Sequence, residues 1–135
     1  MKTMTLPAVL ESIPPITEFV DAELERLDCP MKAQMQLDIV IDELFSNIAR
    51  YAYPDGPGEA TVSIDFAPET RTVSLVFADS GIPYNPLEKE DPDVTLPLEQ
   101  RSIGGLGIFL VRKNVDDMRY TRQNGQNILT VLKRI

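Results

Sequence analysis

The spacing of hydrophobic and polar positions changes several times along the chain, and each change predicts an element. KTMTLPA alternates loosely and reads as a short edge strand ended by Pro7. In ESIPPITEFVDAELERLD, Ile16, Phe19, Val20, Leu24 and Leu27 recur at helical spacing, with Ser12 as N-cap and prolines in the first turn. Asp28 and Pro30 restart the pattern, and a longer helix is predicted from about Met31 to Ala52, ended by YPDGPGE. Val62, Ile64 and Phe66 then alternate with polar residues, as do Val73, Leu75 and Phe77 after the turn-like APETR, which predicts a hairpin. From Ser80 to Ile103 the periodicity fades into a Pro-rich, acidic loop, of a length that in so small a domain is usually functional. IGGLG opens an apolar helix, IFLVRKNVDDM, and MRYTRQNGQNILTVLKRI folds into two strands about Asn124-Gly125, a strong hairpin signal.

Helices first, then hairpin, helix and hairpin, predict an α+β two-layer sandwich with a mostly antiparallel, mixed sheet and its helices on one face. A ligand would fit between the layers. At 135 residues the chain reads as one domain, residues 1–135, able to bury roughly two-thirds of its unfolded surface. No apolar run approaches the roughly 20 residues of a membrane span and no signal-peptide pattern opens the sequence, so no membrane role is expected. One cysteine, Cys29, allows no internal disulfide and fits a reducing cytoplasm. The net charge of −8 argues against a nucleic-acid partner. The sequence has no histidine, which excludes Ser-His-Asp and Cys-His catalysis, histidine-ligated zinc and a phosphohistidine on this chain. Chemistry, if present, must run on carboxylates, amides, Lys or Arg, backbone groups or a metal bound through oxygen.

Three stretches carry candidate chemistry. In DELFSNIARYAY, 100° per residue places Asn47 about 40° and Arg50 about −20° from Glu43, while Leu37, Ile41, Leu44 and Ile48 cluster near 100° to 160°. The carboxylate and carboxamide therefore border the core, where an unpartnered charge is costly. On this stretch alone the simplest reading is a rim pair, Glu43 bonded to Arg50 and Asn47 to water. In FADSGIPYNP a strand ends at Asp79, with Gly81 two residues on; the carboxylate could accept from an exocyclic amine and the glycine let a flat ligand approach, or the stretch is an ordinary Asp-Ser-Gly turn. IGGLGIFLV sets glycines before a helix, exposing backbone N–H groups to a phosphate, or forming a hinge. No βαβ unit precedes it, and no Gly-Lys-Ser/Thr follows.

Taken together and in order, these stretches resemble the ATP-binding domain of the GHKL superfamily (the Bergerat fold), and most closely the bacterial anti-sigma-factor serine/threonine kinases. The carriers are E-L-x-x-N-x-x-x-x-A-Y, D-S-G-x-P-[FY]-[ND]-P and G-G-L-G-[IL]-F-L. The resemblance implies ATP and Mg2+ as cofactors, with Asn47 holding the metal and Glu43 orienting or deprotonating the attacking hydroxyl. It further implies Asp79 and Gly81 at adenine, backbone amides of Gly104, Gly105 and Gly107 at the phosphates, Arg101 of the lid for phosphate charge, and Asn127 where relatives have a threonine near adenine. The implied substrate is a serine or threonine of a STAS-type anti-sigma-factor antagonist. A sigma factor is the alternate partner, in a homodimeric kinase; a nucleotide-sensing module without useful phosphotransfer is the competing expectation. Tyr51 and Arg50 depart from the histidine and lysine common in these kinases, neither at a catalytic position.

Overall fold

A computed structural model describes residues 1–88 and 105–135. Five strands, β1 (Lys2–Pro7), β2 (Glu59–Ala67), β3 (Thr72–Asp79), β4 (Asp117–Gln123) and β5 (Gln126–Arg134), form one sheet in the order β1-β2-β3-β5-β4. Every pairing is antiparallel. Among the described residues three helices, α1 (Ile13–Arg26), α2 (Met31–Tyr51) and α3 (Gly105–Asn114), complete the α+β sandwich, with short 3-10 turns at Leu10–Ser12 and Pro86–Glu88.

The expected alternation decides which face of each strand is buried. Val62 and Ile64 of β2, Val73, Leu75 and Phe77 of β3, and Leu129 and Val131 of β5 point inward. They meet Ile16, Val20 and Leu24 of α1, Leu37, Val40, Ile41, Leu44 and Phe45 of α2, and Ile108 and Val111 of α3. The β4–β5 hairpin turns at Asn124 (φ 54°) and Gly125 (φ 77°), two left-handed residues in succession. That is the type I′ signature, where Asn-Gly is favoured because glycine takes positive φ without steric cost.

Two boundaries differ from the sequence expectation. Ser12 precedes α1, but its hydroxyl donates to the Pro7 carbonyl (2.7 Å) and caps no helical N–H. Its own backbone is helical (φ −79°, ψ −14°) because it closes the preceding 3-10 turn, so the N-cap geometry is absent. The third helix ends at Asn114, short of Met118, and its last turn is closed by Asn114 Nδ2 donating to Leu110 O (2.7 Å). Asp116 and Asp117 are recruited by the sheet instead. The Asp116 N–H donates to Leu132 O (2.8 Å), its carboxylate accepts from Arg134 N (2.7 Å), and Asp117 pairs with Leu132.

One feature of the α1–α2 layer departs from good polar pairing. Asp21 Oδ1 and Asp38 Oδ1 are buried without a hydrogen-bond donor among the described residues. Desolvation first, and then the facing Asp21, raise the Asp38 carboxyl from an ordinary 3.8 to about 7. Between those values the folded protein keeps a proton that the unfolded chain has lost, so this group makes stability fall as pH rises from about 4 to about 7. Asp38→Asn cannot ionise. It should be more stable than the parent at about pH 8 and lose that advantage near pH 4, as measured by urea unfolding; an advantage that does not change with pH contradicts the assignment.

Candidate functional site

The end of α2 and the ends of β3 and β5 meet at one side of the sandwich. Here Ala52, just beyond α2, accepts a backbone hydrogen bond from Ile82 N (2.9 Å), tying the helix to the segment that follows β3. Gly81 makes this seam possible: a Cβ there would lie 2.2 Å from the Ala52 carbonyl oxygen and 2.6 Å from the Ala52 Cβ. The glycine is thus needed for close packing of backbone on helix, and the space that its missing side chain leaves is taken by Ala52. Tyr53 adds a second tie, its hydroxyl accepting from Ser80 N (2.8 Å) and donating to Glu59 O (2.5 Å).

Beside the seam lies a cavity with about 570 Å³ of empty space, open solvent at its mouth included. Leu44, Ile48, Phe77, Ile82, Pro86 and Leu129 give it apolar walls, and Tyr51, Tyr84 and Tyr120 add rings. Burial, with Tyr51 nearby, raises the Tyr84 phenol above its ordinary range, so it stays protonated. Three further polar side chains line it: Asn47, Asp79 and Asn127.

Asp79 and Asn127 come from adjacent strands and are direct partners in the β3–β5 register. Both are buried, at 6% and 7% exposure. A carboxylate so enclosed is costly unless it accepts hydrogen bonds. Asp79 Oδ1 accepts two, from Gly81 N (2.9 Å) and Asn127 Nδ2 (3.0 Å). Among the described residues none reaches Oδ2. This is an arrangement suited to receiving a donor from a flat ligand between apolar walls.

Asn47 is half-buried, and among the described residues no hydrogen bond reaches its carboxamide. Its oxygen is a neutral hard ligand of the kind magnesium accepts. Glu43 stands one turn earlier, about 6 Å along the axis. It is half-buried and turns toward α3, where a Cβ on Gly107 would lie 2.5 Å from Glu43 Oε2. Among the described residues no ion pair joins Glu43 to Arg50, which is exposed, so the rim-pair arrangement does not occur. Glu43 lies outside the cavity lining, on the α3 side of Asn47, and the absence of a side chain at Gly107 gives its carboxylate room.

The structure therefore brings Asn47, Asp79 and Asn127 to one cavity, and sets Glu43 and Gly107 against each other beside it. Gly105 opens α3; Arg101 and Gly104 lie outside the described residues. The three tyrosines and Ile82 are not among the residues that the sequence points to for this site. Tyr84 lay within the quoted FADSGIPYNP, and Tyr120 follows Met118 on the inward side of an alternating strand, so periodicity could have found it.

The model of the histidine kinase-like ATPase domain family matches residues 6–133. The serine/threonine-protein kinase BtrW of Bordetella bronchiseptica is 30% identical over 100 residues, covering 74% of this chain and 70% of the relative. The serine-protein kinase RsbW of Bacillus thuringiensis is 26% identical over 130 residues, 93% of this chain and 80% of the relative, and its counterpart in Bacillus mycoides matches equally.

The two glycines predict opposite outcomes. Gly81→Ala must displace backbone, and should cost about 1–3 kcal/mol in chemical unfolding. At Gly107 the obstacle is the tip of a flexible side chain, and alanine favours helix by up to about 1 kcal/mol. Gly107→Ala should unfold no earlier than the parent while displacing the Glu43 carboxylate; equal losses at both positions contradict the packing described.

Proposed function

The chain belongs to the histidine kinase-like ATPase domain family and uses ATP, and from that membership we propose that it is an anti-sigma-factor serine/threonine kinase. The observation that carries the reading is the side-by-side placement of an apolar cavity closed by the buried Asp79 carboxylate and a helix presenting Asn47 and Glu43 one turn apart. The kinases to which it is similar support the activity. Its substrate is then a serine or threonine of a STAS-type antagonist, and its alternate partner a sigma factor. It would act as a homodimer in the cytoplasm; among the described residues no helix is long and apolar enough to cross a membrane.

In this reading Leu44, Ile48, Phe77 and Leu129 would enclose the adenine, and Asp79 Oδ2 would accept from its amine. Gly81 keeps the strand end close to α2, which holds that carboxylate in place. Backbone amides of Gly105 and Gly107, at the start of α3, would meet the phosphates, and the resemblance assigns Gly104 and Arg101, which lie outside the described residues, to the same task. Asn47 would hold a magnesium ion, which would supply charge neutralisation at the phosphates. The unbonded Asn47 carboxamide fits that role, and among the described residues no group of three acidic, cysteine or histidine side chains offers another metal site.

Glu43 then acts on the protein substrate. Its carboxylate accepts the hydroxyl proton as the serine or threonine oxygen bonds to the γ-phosphorus. The bond from that phosphorus to the β–γ bridging oxygen breaks, and ADP leaves with the electron pair. The products are a phosphoprotein and ADP. Most of the acceleration comes from holding the groups in line.

Radiolabelled transfer from ATP to a STAS-type antagonist tests the proposal. Glu43→Ala should lower transfer by about 10²–10⁴-fold. Asn47→Ala should lower it and abolish the magnesium dependence of ATP binding, and circular dichroism should find both folded. Undiminished transfer by either variant would overturn that residue's role. ATP binding by the parent protein with no labelled antagonist would favour a nucleotide-sensing module instead.

A further inference from the structure

We infer that Tyr120 and Asn127 are a positioning pair that sets base specificity by holding the Asp79 carboxylate in one orientation; this rests on reading the cavity as a nucleotide site. A carboxamide offers two N–H donors and two acceptor lone pairs. In Asn127 all four are used inside the protein. Nδ2 donates to Asp79 Oδ1 (3.0 Å) and to Ile82 O (2.8 Å). Oδ1 accepts from Tyr84 N (3.1 Å) and from the Tyr120 hydroxyl (2.6 Å).

This pattern fixes which end of the amide is which. Turned over, the amide would set its oxygen against the Asp79 carboxylate and the Ile82 carbonyl, and its NH2 against the Tyr84 N–H. Two acceptors on one side and two donors on the other admit one orientation. They also leave Asn127 nothing to offer a ligand, although it lines the cavity. Its task is to hold Asp79.

The consequence for specificity follows from the chemistry of the held group. With Oδ1 occupied by Gly81 N and Asn127, Oδ2 remains, and an ionised carboxylate oxygen only accepts. A purine with an amine at ring position 6 donates to it. A purine with a carbonyl there meets it lone pair to lone pair. The discrimination lasts while the Asp79 carboxylate stays unrotated, with Oδ2 toward the base. Asn127 fixes the carboxylate's orientation by donating to Oδ1, and Tyr120 fixes the orientation of Asn127. The Tyr120 hydroxyl therefore acts on the base through two intervening side chains, while its ring forms cavity wall.

The test is titration calorimetry of ATP and inosine triphosphate, which differ in the group at ring position 6 and, with it, in the proton on the adjoining ring nitrogen, on the full chain with thermal unfolding in parallel. The parent should prefer ATP. Tyr120→Phe keeps the ring and loses one donor to Asn127, and should narrow the ATP preference by about three- to tenfold. Asn127→Asp keeps the shape but sets carboxylate against carboxylate; the two should share a proton, collapsing the preference and making it return at higher pH. If Asn127→Asp does not fold, Tyr120→Phe still decides. ATP and inosine triphosphate affinities that fall equally in a folded variant mean a merely structural role and overturn the inference, as does a parent with no preference. A parent that binds neither nucleotide overturns the underlying reading of the cavity.

Discussion

The seam between the end of α2 and the end of β3 governs this structure. Residues on the helix and residues on the sheet can act on one ligand when the two layers hold a fixed register at that edge. The register comes from one backbone hydrogen bond, Ile82 N to Ala52 O, and from a glycine at 81 that lets the strands' continuation lie against the helix. Deeper in, Leu44 and Phe45 are buried within the same two turns that carry Glu43 and Asn47. Rotating α2 to move either polar residue would expose that apolar surface, at about 25 cal/mol per Å². The core thus sets the azimuth of the polar pair, and the seam sets its distance from the sheet.

The electrostatics of the cavity look adverse in a chain of net charge −8 whose family ligand is a polyanion. They are less so in detail. The cavity's one carboxylate, among the described residues, is buried at its apolar end and bonded through Oδ1 to two N–H donors. It offers the ligand an acceptor where the proposed ligand has a donor. Position, more than net charge, decides whether a buried carboxylate repels or selects.

Much of the fold was legible in the sequence. Helical spacing located α1 and α2, alternation located the strands, and Asn124-Gly125 located the final turn, since each signal is local and its period is set by backbone geometry. Ser12 and the end of α3 were misread for a common reason: a serine before a helix and acidic residues after one have local partners on offer, but tertiary partners won. Pro7 O took the Ser12 hydroxyl, and the β5 backbone took Asp116. The site was legible in part. Spacing along α2 placed Glu43 and Asn47 at the border of the core, where both lie half-buried. The state of Asn127 was not legible, because it depends on a register that pairs it with Asp79 across strands, and on Tyr84 and Tyr120 converging from elsewhere in the chain.

That difference separates two kinds of residue around the cavity. Glu43 and Asn47 reach outward from a helix whose other face is core, and among the described residues Asn47 spends no hydrogen bond on the protein. Asn127 spends all four of its own. A side chain that must meet a ligand keeps valences open and is held in place by the apolar residues beside it. A side chain that must hold another in place is itself fully bonded, and its removal is felt one atom further on. In the proposed reaction, then, positioning is divided: hydrophobic packing fixes the helix that faces the phosphates and the incoming hydroxyl, and a closed hydrogen-bond network fixes the carboxylate that faces the base. The first tolerates changes of shape poorly and changes of charge better. The second is sensitive to a single exchanged proton.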